Sequence, residues 1–77
     1  MSSINHKKVE DEFIDLWQTY MFEEAERFLS TGQPIDSKEI SKRVVNRASE
    51  ELMRKYSITM PEMVKIVERA SGRMSLG

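Results

Sequence analysis

The chain of 77 residues contains no cysteine, which excludes disulfide frameworks, thiolate metal sites and cysteine nucleophiles and fits a reducing compartment. Its three glycines stand far apart, so no glycine-rich loop exists to cradle a phosphate. The one histidine, His6, lies at the start of the first expected helix, with no sequence neighbour to orient it as a general base. No set of His, Asp and Glu shows metal-ligand spacing, and neither a metal nor a cofactor is expected. Uncharged apolar runs long enough to cross a bilayer are missing, and the opening MSSINHKKVEDEF puts charges where a secretory leader needs apolar residues. These absences predict a soluble, cytoplasmic protein. They also argue against an enzyme: the paired carboxylates Glu10–Asp11 and Glu23–Glu24 fall on an expected surface helix, and so short a chain leaves little room for a concave catalytic site.

What remains is one small domain of a size at which a single core only marginally offsets chain entropy. A second copy or a partner is therefore expected from size alone. The net charge of -1 conceals an asymmetry. Residues 1–35 carry three Lys/Arg against seven Asp/Glu, and residues 36–77 carry nine against six, so an acidic first part precedes a mildly basic second part.

Apolar residues recur at helical spacing throughout, and no stretch alternates long enough for a sheet. The pattern predicts an all-α, three-helix domain with helices over about 4–30, 37–56 and 60–71 and a frayed tail at 73–77. The first helix starts after Ser3 or Asn5 as N-cap and ends before Gly32, which can take the left-handed conformation. Gln33-Pro34-Ile35 is the expected linker. Asp36 and Glu39 have the spacing of a capping box, and Thr59 with Glu62 forms a second one that has Pro61 in the first turn. Gly72 is expected to stop the third helix after Ser71.

Helix 1 carries Val9, Phe13, Ile14, Leu16, Trp17, Tyr20, Met21, Ala25 and Phe28 on about half its circumference, more than one neighbouring helix covers. Ile40, Val44, Val45, Ala48 and Leu52 face it from the second helix, and Met63, Ile66, Val67 and Ala70 from the third. The surplus is the expected surface for a homodimer or a partner, the alternative being that a compact three-helix core absorbs all of it. Six methionines either fill an irregular core or provide an adaptable contact surface.

The stretch LMRKYSITMPEMVKI, residues 52–66, resembles a helix-turn-helix. Leu52 matches the inward residue of the motif's first helix, Lys55-Tyr56-Ser57-Ile58 the helix end and turn, and Met63 and Ile66 the two buried anchors of the recognition helix. The chain departs from the motif where Met53 takes a site usual for alanine and Ser57 a turn site usual for glycine. The resemblance implies a DNA-binding regulator whose contacts would be Arg43, Arg47 and Arg54, in a row along helix 2, with Thr59 and Lys65 at the front of helix 3. Yet Met60, Pro61, Val64 and Glu68 share that front with Thr59 and Lys65, and of the six only Lys65 is a plausible reader of base edges. Glu50, within the arginine row, is spaced to pair with Arg54.

Protein binding is therefore the leading expectation: a small regulatory or adaptor module, acting as a homo-oligomer or within a complex. Phe22 falls among the acids of helix 1, next to Leu29 and away from the main apolar arc. These two, with Met60 and Val64, are the candidate partner surface. The competing expectation for Met60, Val64 and Val67 is the core stripe of an ordinary amphipathic helix.

Overall fold

A computed structural model describes residues 5–32 and 36–74. It consists of three α-helices, α1 (His6–Thr31), α2 (Ser37–Tyr56) and α3 (Met60–Arg73), and the described residues include no strand. The expected linker at Gln33-Pro34-Ile35 and the end of the tail, residues 75–77, lie outside the described residues. Among those described, no helix is long and apolar enough to cross a membrane.

The helix ends follow local chemistry. Asn5 caps α1, its side chain accepting the Lys8 N–H; Ser3, the other expected cap, lies outside the described residues. At the other end Gly32 sits at φ 68°, and its N–H donates to the Phe28 carbonyl. A residue with a Cβ is disfavoured in that left-handed conformation. Asp36 caps α2 by accepting the N–H groups of Lys38 and Glu39 at 3.1 and 3.4 Å.

Two terminal expectations are corrected. Thr59 is the N-cap residue of α3, but its side chain makes no capping hydrogen bond. Pro61 in the first turn has no N–H to satisfy, and Glu62 places an acid near the helix's positive end, so α3 starts without the cap. Gly72 does not stop α3, which continues to Arg73 with Met74 as C-cap. Arg73 is not frayed: its guanidinium lies 3.1 Å from Glu10 and 2.7 Å from Asp11, which ties the end of α3 to the start of α1.

Between α2 and α3, Ser57 adopts the left-handed conformation at φ 54°, and the Ile58 N–H donates to the Met53 carbonyl. This is the six-to-one bond of a Schellman turn, in which the residue after the left-handed one makes an apolar contact. Ile58 is accordingly buried. Its place in the core is not marked by helical periodicity, because it stands outside both helices.

Phe13, Leu52, Met63 and Val9 are the largest fully buried side chains. Ala48 and Ala70, both without exposed surface, let the backbones approach closely around them. Tyr20, Ile40, Val44 and Ile66 complete the single core cluster. Ascending along α1, Glu12 meets Lys55, Tyr20 meets Glu51 and Glu24 meets Arg43, so α1 and α2 run antiparallel. The wide apolar face of α1 is only partly covered: Ile14, Leu16, Trp17, Met21 and Phe28 are half-buried, and Ala25 is exposed. The Trp17 Nε1 is a buried donor with no hydrogen-bond partner.

Candidate functional site

Helices α2 and α3 leave an open groove of about 220 Å³ between them. On the α2 wall stand Val45, Ser49 and Met53, and on the α3 wall Met60, Val64 and Val67. Helical periodicity explains the grouping. The α2 residues are spaced by four and the α3 residues by three and four, so each set forms one stripe beside its helix's core stripe. Met63 reaches the floor from the core, and Glu50, Glu68 and Asn46 form the polar margin. Nothing from α1 lines the groove.

Met60 and Val64 are 61 % and 47 % exposed. They are not part of the core stripe, and Val67 is half-buried between the two environments. Phe22 and Leu29 are more exposed still, at 67 % and 80 %. They lie on the outer face of α1, however, and do not join the groove. The four expected contact residues therefore form two separate patches, one built by α2 and α3 and one on α1.

The arginine row divides. Arg43 lies 3.9 Å from Glu24. Arg47 lies 3.7 Å from Glu23, with its guanidinium 4.0 Å from the centre of the Tyr20 ring. Both therefore face carboxylates and an aromatic ring of α1, with Arg27 nearby on the same cleft. Arg54, Thr59 and Lys65 remain exposed. Glu50 and Arg54 do not form the expected ion pair among the described residues.

Two polar clusters hold α1 against α2. At one, the Glu12 carboxylate accepts from Lys55 at 2.8 Å and from the Tyr56 hydroxyl. The Lys55 hydrogen bond, then that of Tyr56, holds the Glu12 carboxyl below its ordinary value. The same contacts raise the Lys55 ammonium and the Tyr56 phenol. At the other, the Tyr20 hydroxyl donates to Glu51 at 2.9 Å. Burial first, and the Glu51 carboxylate second, pushes the Tyr20 phenol up. Both clusters act as clasps between α1 and α2, and Tyr20 also borders the cleft that holds Arg27, Arg43 and Arg47. His6 is exposed beside Glu62, Lys65 and Arg69. Among the described residues, no three His, Asp or Glu side chains are placed to hold a metal ion.

Sequence reasoning singled out Met60 and Val64 but missed Met53, Val45 and the carboxylate margin, which join the groove only through the packing of α2 beside α3. The fold and the site define a small all-α domain with an apolar, acid-edged groove. No protein-family model, curated protein or solved structure matches the chain.

Proposed function

We propose that this chain is a small regulatory or adaptor module that acts by binding another protein, not by catalysis, and that the groove between α2 and α3 is the contact surface. The observation that carries this reading is the exposure of Met60 and Val64 on a concave, largely apolar surface. Grouped exposed apolar residues in a depression are what interface centres are made of, whereas isolated ones are common on any surface. Met53 and Met60 add unbranched side chains that re-pack around a partner. The absence of cysteine supports a cytoplasmic setting.

The reading is tested by replacing Met60 and Val64 together with serine, which removes apolar contact without changing charge. A photoreactive side chain placed at position 64 identifies the partner, and the affinity of that partner is then measured for both proteins. The double variant should stay helical and bind at least tenfold more weakly. Equal affinity of the two proteins contradicts the reading.

DNA binding is the second reading. It is favoured by the burial of Leu52, Met63 and Ile66 around the left-handed turn at Ser57, the arrangement implied by the helix-turn-helix resemblance. Arg54, Thr59 and Lys65 would then supply the contacts, since Arg43 and Arg47 already face Glu24 and Glu23. Its test is salt-sensitive binding to duplex DNA that the Arg54→Ala, Lys65→Ala variant weakens.

A further inference from the structure

The groove carries a charge pattern that selects among protein partners. Glu50 stands on its α2 edge and Glu68 on its α3 edge, and among the described residues no lysine or arginine lines it; Arg43 and Arg47, which share the neighbouring cleft with Glu50, face Glu24 and Glu23. An occupant that buries apolar residues against Val64 and Met53 must therefore lay its own flanks beside a carboxylate on each side. Resting on the protein-binding reading above, we infer that the occupant is an amphipathic helix of another protein, apolar along one stripe and basic on both flanks. A helix suits the site because its apolar residues, at i, i+3, i+4 and i+7, form a narrow ridge that fits between two helices. Its flanking lysines or arginines then reach the two edges, where opposite charges speed encounter and reject acidic competitors.

A second copy of the chain fits less well. A two-fold dimer through this surface sets groove against groove, and brings Glu50 and Glu68 of one protomer to the same acid-edged surface of its partner. The other exposed apolar patch, Phe22 with Leu29, lies on the acidic outer face of α1 with Asp15 and Glu26, so it too would bring carboxylates to carboxylates. Like charges across an interface oppose association.

The experiment uses two fluorescent helical peptides with the same leucine stripe, one with lysine at every flanking position and one with glutamate. Each is titrated by anisotropy against the wild-type chain, an E50K/E68K variant and the Met60→Ser, Val64→Ser variant. Both glutamates are exposed, so their replacement leaves the core intact. The lysine peptide should bind the wild type about tenfold tighter than the glutamate peptide, and E50K/E68K should reverse that order. The serine variant should weaken both peptides. Equal affinity of both peptides for the wild type, or lysine-peptide binding undiminished in E50K/E68K, overturns the charge selection and leaves the groove as a docking surface. Failure of both peptides to bind the folded wild type removes the docking reading itself. Self-association by sedimentation that the serine variant abolishes assigns the groove to a second copy and overturns the inference.

Discussion

The Tyr56 hydroxyl donates to the Glu12 carboxylate, joining the last residue of α2 to the first half of α1 across 44 residues of sequence. Lys55 takes the other carboxylate oxygen at 2.8 Å. One ionised acid thus serves two donors on consecutive residues, and its charge state affects how α1 docks.

The pH dependence of stability follows from the signs of these shifts. The Glu12 carboxyl titrates below its ordinary 4.5 in the folded chain, first because of Lys55 and then of Tyr56. Its contribution is therefore present above 4.5 and is lost as pH falls through the folded value. The Tyr56 phenol and Lys55 ammonium are raised from 10.0 and 10.5, each chiefly by the Glu12 hydrogen bond. They contribute below those values and lose the contribution as pH rises through the folded ones. Glu12→Gln should accordingly be less stable than wild type at neutral pH, and that deficit should narrow at pH 3, below the ordinary carboxyl value. Urea unfolding followed by circular dichroism at the two pH values checks the convergence.

The two N-caps should respond differently to alanine. Asp36→Ala removes an oxygen that accepts two N–H groups and should cost about 1 kcal/mol. Thr59→Ala removes a side chain that makes no capping bond and should change stability by less than about 0.5 kcal/mol. Denaturant midpoints of the two variants are the comparison.

Ser57 is the one non-glycine residue with positive φ among those described. Glycine there relieves the left-handed penalty of roughly 1–2 kcal/mol while adding roughly 0.5–1 kcal/mol of unfolded-chain entropy. Ser57→Gly should stabilise the chain by about 0.5–1 kcal/mol, the difference between those ranges taken end to end. At Gly32, φ is 68° and a Cβ would meet nothing within 4 Å, so Gly32→Ala should cost about 1 kcal/mol from backbone conformation alone. Thermal melts of both variants provide the test.

Core and groove separate by stability. Phe13 has no exposed surface, and Phe13→Ala should cost about 3–5 kcal/mol, enough to unfold a domain of this size. Met60→Ser and Val64→Ser act on exposed side chains and should cost less than about 1 kcal/mol together. Unfolding of the serine double variant at 25 °C would mean that the groove walls are core.

The legible parts of the fold are those governed by neighbours in sequence. Asp36, Asn5 and Gly32 act within one turn of themselves, and the helix bounds they set are close to those expected. Gly72 misled because its local tendency to end a helix is weaker here than the distant anchoring of Arg73 by Glu10 and Asp11. Thr59 misled because a capping residue still needs its side chain turned toward the helix. Among candidate contacts, Phe22 and Leu29 were legible as exposed, standing opposite the Val9, Phe13 and Tyr20 face. Val64 was legible as a candidate contact but also as core: periodicity shows that α3 has a broad apolar stripe, while which edge is covered depends on how α2 and α3 pack. The pairing of Arg43 and Arg47 with Glu24 and Glu23 depends likewise on how α1 lies along α2.

A protein helix is proposed to dock between α2 and α3. The most direct measurement is amide chemical-shift mapping of the isotope-labelled chain during titration with the lysine-flanked peptide, and separately with duplex DNA. Peptide-induced shifts should concentrate on residues 45–53 and 60–68, with α1 beyond Tyr20 unaffected. Shifts absent with the peptide, but strong with DNA around Arg54 and Lys65 and weakening as salt rises, would contradict this docking.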